Sequence, residues 1–348
     1  MNDCIIRRAS LIFKLLKNSK VVNVMREKEV LKRWGFDDKV SIEKMNIEYE
    51  TEREEHVWTI NREYILKATK NKSETINNIY MSKLLNSVNI ATQEVINTVD
   101  GESYFVGEDK YYTLFKKIEG TVLKNYFEGD FIKRGNCIGK SLGSLHIGLY
   151  KITNEIKEKI TVFDNDLIAE LNGWVIEEID KYIEKSILDK NEVNILKKCM
   201  NQLLDEFPTI YYRLPRQVIH RDFHGENIIF KDEDIIGFID FDLSQINTRI
   251  LDICYLCTGS LATIFDDFEM RAKWIEFAIA FIQGYESVNK LTSDEIEAMK
   301  YMMISLEMIM IAYFAREGYY DIASMNIKMV NYLSELWQNN GLRLKTNI

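Results

Sequence analysis

Long uncharged apolar runs are missing from this chain of 348 residues. No stretch approaches the roughly 20 such residues that a membrane helix needs, so no transmembrane segment is expected. Cysteine is sparse and odd in number: Cys4, Cys137, Cys199, Cys254 and Cys257. An odd set in so long a chain suits a reducing, cytoplasmic setting better than a disulfide scaffold. Positive charge is not in excess, the formal net charge being −9. That balance argues against a nucleic-acid binder, whose footprint should be basic. Glycine is absent between Gly35 and Gly101, which excludes a glycine-rich phosphate loop from that stretch. Proline occurs twice, at Pro208 and Pro215, and that scarcity carries little functional information.

What is present describes an ordinary globular protein, with 46% apolar and 28% charged residues. The length predicts two lobes of unequal size. Charge is unevenly spread. Residues 1–34 carry nine Lys/Arg against three Asp/Glu, which leaves −15 for the rest. They read as one or two basic helices with Ile5, Leu11, Ile12, Leu15 and Leu16 on an apolar side, packed against the body rather than on a membrane surface. Lys14 and Lys17 interrupt the apolar run and no small-residue cleavage site follows, so no secretory signal is expected. The acidic body is compatible with a cationic partner and equally with a solubilising surface.

From about Met45 the texture becomes β-rich. Val57–Ile60 and Tyr64–Ala68 predict a meander, and Ser73–Ser87 a helix with Ser73 as N-cap. Strand-like runs follow at Glu94–Thr98 and Tyr111–Phe115, with a turn at Asp100-Gly101. Past Gly120 helices dominate, at about 131–150, 164–186, 190–206, 266–285, 293–316 and 320–337. Val218–Asp242 interrupts them with strand–loop–strand texture.

That island reads Val-Ile-His220-Arg-Asp222-Phe-His224-Gly-Glu-Asn227-Ile-Ile-Phe, then Ile239-Asp240-Phe241-Asp242. Phosphoryl transfer needs in-line geometry, charge neutralisation and a carboxylate to orient the acceptor hydroxyl. Magnesium needs hard oxygen ligands, few of them from protein. A loop between apolar strands carrying Asp222 and then Asn227, with Asp240 ending a second hairpin strand, supplies both.

His220-x-Asp222-(x)4-Asn227 followed by Ile239-Asp240-Phe241 resembles the catalytic and metal loops of protein kinases and the aminoglycoside phosphotransferase/choline kinase superfamily. Tyr64-Ile65-Leu66-Lys67 resembles the superfamily's third-strand lysine, and Leu114–Gly120 its hinge. Leu142–His146 and Gly284-Tyr285 resemble two of its helices. The resemblance spans roughly 45–330. Within the superfamily the chain looks closest to the spore-coat-associated kinase-like proteins, by Tyr112-Thr113-Leu114 leading into Ile118-Glu119-Gly120 and by Ile239–Asp242 with Asp252 downstream.

The resemblance implies an α+β, bilobal protein-kinase-like fold: a basic extension 1–40, a β-rich nucleotide lobe 41–119 with one main helix, and a helical lobe 120–348. It implies a phosphotransferase using Mg²⁺ and ATP, or GTP, on a hydroxyl of a small molecule such as an aminoglycoside, a choline-like amine, homoserine or a sugar. Asp222 would be the catalytic base, Asn227 and Asp240 the metal ligands, Lys67 the phosphate contact and Glu74 its partner. The backbone of Lys116, Lys117 and Ile118 would meet adenine, and Asp252 would prop the catalytic loop. Three features depart from the pattern. The loop near Glu52–Glu55 has no glycine, Glu74 lies in the first helical turn where it could equally cap, and Arg221 stands where a glycine is common. The alternative is a catalytically weak or inactive structural relative. A protein kinase is disfavoured, because Asp240 to Asp252 leaves no room for a long activation loop and no Ala-Pro-Glu segment can follow Pro215.

Elsewhere bland readings lead. Cys254-x-x-Cys257 lacks a second ligand pair and reads as core. His56 and His146 read as structural, and His224 as substrate contact or loop filler. Asp242 reads as metal helper or loop residue, and Asp266, Asp267 and Glu269 as pocket lining or helix start.

Overall fold

The computed structural model describes residues 25–45, 56–159 and 163–339. The loop near Glu52–Glu55 and the basic run 1–24 lie outside these residues. Just after that run, α1 (Met25–Leu31) and a 3₁₀ turn end at Gly35, whose φ of +79° stops the helix. Val30, Leu31 and Trp34 pack on a sheet through Trp58, Ile60, Leu66 and Leu114, and the Trp34 indole donates to Ile96 O at 2.8 Å.

The sheet holds β1 (Ile42–Lys44), β2 (His56–Ile60), β3 (Tyr64–Thr69), β4 (Val95–Ile96), β5 (Phe105–Gly107) and β6 (Lys110–Lys116). It is antiparallel in the order β1-β2-β3-β6-β4, with β5 also on β6. Alternation along β3 sends Leu66 and Ala68 to the α1 side and puts Ile65 and Lys67 on the other face. Between β3 and β4 runs α2 (Lys72–Ser87). Its N-cap is Asn71, whose side chain accepts from Ser73 N and Glu74 N. The expected cap at Ser73 is therefore two residues late: Asn71 has the extended backbone that an N-cap requires. Met81, Leu84 and Leu85 of α2 join the main core with Leu145 and Leu149, which ties the sheet lobe to the helical one.

The second lobe begins with β7 (Thr121–Val122) and α3 (Phe131–Lys159), nine residues longer than expected at its end. The expected helix 164–186 is broken into α4 (Leu167–Glu170) and α5 (Ile176–Glu184), separated by a π turn where Gly173 leaves helical geometry. Next, α6 (Lys190–Tyr211) opens on an Asp189/Glu192 capping box and runs through Pro208. Strands β8 (Arg216–Ile219), β9 (Ile228–Lys231), β10 (Asp234–Phe238) and β11 (Gln245–Thr248) follow, then α7 (Ile250–Ala262), α8 (Phe268–Val288), α9 (Ser293–Arg316) and α10 (Tyr320–Gln338). Helix α9 is long and apolar enough to cross a membrane by length and composition, yet 94% of its most apolar window is buried inside the protein. Buried Glu295 and Glu307 also interrupt it.

Helices α3 and α8 touch backbone to backbone. Gly135, Gly139 and Gly143 form one row on α3, and a Cβ at each would meet the carbonyl of Phe277, Phe281 and Tyr285 in turn. Gly139→Ala is expected to lower the urea midpoint by the equivalent of about 2–3 kcal/mol through overpacking. Gly259→Ala in α7, where a Cβ meets nothing within 4 Å, should hold or raise stability by up to about 1 kcal/mol. Equal effects of the two would contradict this packing.

Candidate active site

The loop between β8 and β9 is pinned from beneath by one buried acid. Asp252, in the first turn of α7, accepts from His220 N at 2.9 Å and Arg221 N at 2.7 Å. His146 Nε2 donates to the same carboxylate at 3.0 Å, and His146 Nδ1 lies 2.8 Å from the Tyr285 hydroxyl. His146 and Asp252 are fully buried, so the structural reading of His146 acquires a purpose: it helps to orient the acid that holds the loop. The Leu142–His146 and Gly284-Tyr285 motifs meet here, because the glycine row brings α3 and α8 together. Arg221 has φ +70°, which explains why a glycine suits that position. The left-handed backbone costs about 1–2 kcal/mol for a side-chain-bearing residue, and the Asp252 bond to its N–H offsets that strain.

Asp222 is fully buried at the loop's centre. Tyr255 of α7 donates its hydroxyl to Asp222 Oδ1 at 3.0 Å. Asn227 Nδ2 donates to Asp222 O at 2.8 Å and to Oδ2 at 3.1 Å. With the amide nitrogen turned toward Asp222, the Asn227 carbonyl oxygen is directed to the other side. His224 packs beside this pair: its Nδ1 accepts from Glu226 N at 3.3 Å, and its Nε2 is 3.2 Å from Asn227 Nδ2 and 3.4 Å from Asp222 Oδ2. The His220 ring donates from Nε2 to Ile239 O at 2.9 Å, and burial pushes its pKa down, so a neutral ring braces the two loops.

Asp240 follows Ile239 with φ +71°. Its Oδ1 accepts from Lys67 Nζ at 2.5 Å, an ion pair from β3 of the sheet lobe to this loop, with each side chain 14% exposed. Helix α2 reaches the same loop through Asn78 Oδ1, which accepts from Phe241 N, and Asn77 Nδ2, which donates to Asp242 O, both at 3.3 Å. Lys67, Asp240, Asn227 and Asp222 thus form one connected group, since Ile239 N also donates to Asn227 O at 3.1 Å.

The other expected residues divide. The Glu74 carboxylate accepts from Asn71 Nδ2 at 2.8 Å, in keeping with its capping reading. Lys116 N donates to Glu94 O and Lys117 N to Glu63 O, each at 2.8 Å, so both N–H groups are committed within the protein. The Ile118 N–H enters no backbone hydrogen bond among the described residues. Asp267 caps α8 through Glu269 N and Met270 N, which makes the acidic cluster a helix start. Cys254 and Cys257 are buried in the core, and burial pushes both thiols up. Sequence reasoning passed over Tyr255, Asn77, Asn78 and Glu170. Burial raises the pKa of Glu170, against the opposing charge of Arg221. Only the spacing of Tyr255, three after Asp252 on one helix, was available as a signal.

A small antiparallel-sheet lobe above a helical lobe, with this loop pair at their junction, defines a protein-kinase-like architecture. The chain belongs to the phosphotransferase enzyme family: the sequence model of that family matches residues 59–299. A homoserine kinase of Beijerinckia indica is 34% identical over 87 residues, and the chain spans about a quarter of that relative's length, as the match covers 25% of each. Amicoumacin kinase hAmiN, solved with AMP-PNP, Ca²⁺ and Ami, superposes with a TM-score of 0.65 at 14% identity over 90% of this chain and 94% of its own. The microcompartment-associated aminopropanol kinase gives 0.65 at 16% identity, over 93% and 100%.

Proposed function

We propose that this chain is a small-molecule kinase that moves the γ-phosphate of Mg·ATP to a hydroxyl acceptor, with GTP as the alternative donor. The observation that carries the reading is the connected group Lys67–Asp240–Asn227–Asp222 between the lobes. In this reading residues 41–119 form the nucleotide lobe, 120–348 the acceptor lobe and 1–40 an extension.

The donor set fits magnesium. Among the described residues no three His, Cys, Asp or Glu side chains gather as a cage. Magnesium bound with a nucleotide takes one or two protein oxygens and draws the rest from phosphate and water. The Asp240 carboxylate and the Asn227 side-chain carbonyl, whose amide nitrogen is engaged by Asp222, would supply them. When bound, the ion neutralises phosphate charge and holds the triphosphate in line.

The chain's own residues do the rest. Lys67 would share its ammonium between Asp240 and the phosphates. Ile118, with Lys116 and Lys117 already committed through their N–H groups, would be the hinge residue whose N–H meets adenine. Asp222 would accept the acceptor's hydroxyl proton as that oxygen bonds to phosphorus and the bond to the leaving diphosphate breaks. The acidic body and the kinases among the relatives favour an acceptor carrying an amine. The test is ADP release from Mg·ATP, with GTP in parallel, against L-homoserine, 1-amino-2-propanol, choline, an aminoglycoside and a hexose. At least one acceptor should raise release about a hundredfold or more over water and yield a phosphate ester. No ester from any of them would remove the kinase reading.

A further inference from the structure

We propose that Tyr255 is a positioning residue for Asp222, holding one carboxylate oxygen so that the other is presented to the acceptor hydroxyl. The inference rests on the reading of Asp222 as the base. Tyr255 is 3% exposed and Asp222 fully buried, and the phenol donates to Oδ1 at 3.0 Å. The second oxygen, Oδ2, meets Asn227 Nδ2 at 3.1 Å and lies 3.4 Å from His224 Nε2, whose side chain is 12% exposed. Oδ1 therefore faces α7, and Oδ2 faces the Asn227 and His224 side of the loop.

A carboxylate on a short side chain can turn about Cβ–Cγ, and a general base acts only with a lone pair within about 3 Å of the proton it takes. The phenol restrains that turn, since a buried hydrogen bond to a charged group is costly to leave unmade. Its own position is well determined, because every residue of α7 is buried. One face of this helix thereby fixes the loop twice. Asp252 holds the backbone of His220 and Arg221, and Tyr255, three residues later, holds the Asp222 side chain. In the step itself the acceptor proton moves to Asp222 Oδ2 as the new O–P bond forms and the diphosphate leaves. Tyr255 keeps its own proton throughout.

The test uses Tyr255→Phe and Tyr255→Met in the full chain. Both lack the donor and fit an apolar site, and whichever folds is read. With the best acceptor of the panel above, kcat should fall about ten- to a hundredfold, while the acceptor KM and the Mg·ATP Kd stay within about twofold. In an Asp222→Asn background the same substitution should change residual turnover by less than about twofold. A purely structural role would depress turnover equally in both backgrounds and lower the melting temperature with it. Equal losses in both backgrounds, or a wild-type-like kcat in the single variant, overturn this inference alone. An unsubstituted protein inactive on every acceptor overturns the kinase reading and this inference with it.

Discussion

Asp222→Asn is expected to lower kcat about a thousandfold while leaving the Mg·ATP Kd within about threefold. The side chain keeps its shape, and its amide oxygen can still accept from Tyr255. The lone pair that would take the acceptor proton is replaced by an N–H donor, which lies against Asn227 Nδ2, where the present separation is 3.1 Å. Two donors facing each other in a buried site cost roughly 1–3 kcal/mol, so a modest fall in melting temperature accompanies the loss of turnover. Nucleotide binding is spared because the carboxylate that pairs with Lys67 belongs to Asp240, which this substitution leaves in place. Coupled ADP release and calorimetry on the same preparation separate the two effects. Turnover within tenfold of the unsubstituted protein would remove Asp222 from the role of base.

Asp240→Asn is the second large effect, and the choice of asparagine matters. Asp240 has φ +71°, a conformation that Asn and Asp tolerate and that costs most other residues about 1–2 kcal/mol. Alanine would mix backbone strain with the loss of charge, whereas asparagine changes the charge alone. The variant loses the carboxylate that pairs with Lys67 at 2.5 Å and the anionic oxygen offered to the metal. Turnover is expected to fall about a thousandfold or more, because the charge that develops on the transferred group is no longer held by a placed cation. The fold should persist, since Asn77 and Asn78 hold the neighbouring backbone through Asp242 O and Phe241 N, not through this carboxylate. A variant that turns over at more than a tenth of the normal rate would contradict the assignment.

The convergence of the candidate site's two loops was legible because its spacing is local: Asp222 and Asn227 sit five apart between apolar strands, and Asp240 follows one hairpin later. The β3 lysine was legible from its strand, whose alternation separates Lys67 from Leu66 and Ala68. What escaped was set by tertiary contact. Helix α7 has no polar face to mark a period, because all thirteen of its residues are buried, and Cys254-x-x-Cys257 drew notice only as a spacing. The break between α4 and α5 is invisible in a periodicity that resumes beyond Gly173. Ser73 and Asn71 are both good caps, and only the backbone turn decides between them. Tyr255 reads as one more apolar residue until the helix brings it against Asp222. The departure at Arg221 looked like a defect and is a left-handed residue steadied by Asp252.

Two acids and an amide converge on one loop pair, and a lysine from the opposite lobe is already bound there. Titration of ATP into the full chain by calorimetry, with and without Mg²⁺, tests that arrangement most directly. One site per chain is expected, tightened at least about tenfold by Mg²⁺ in the unsubstituted protein and indifferent to Mg²⁺ in Asp240→Asn. Absence of binding at millimolar Mg·ATP, or equal Mg²⁺ dependence in both proteins, would contradict the account.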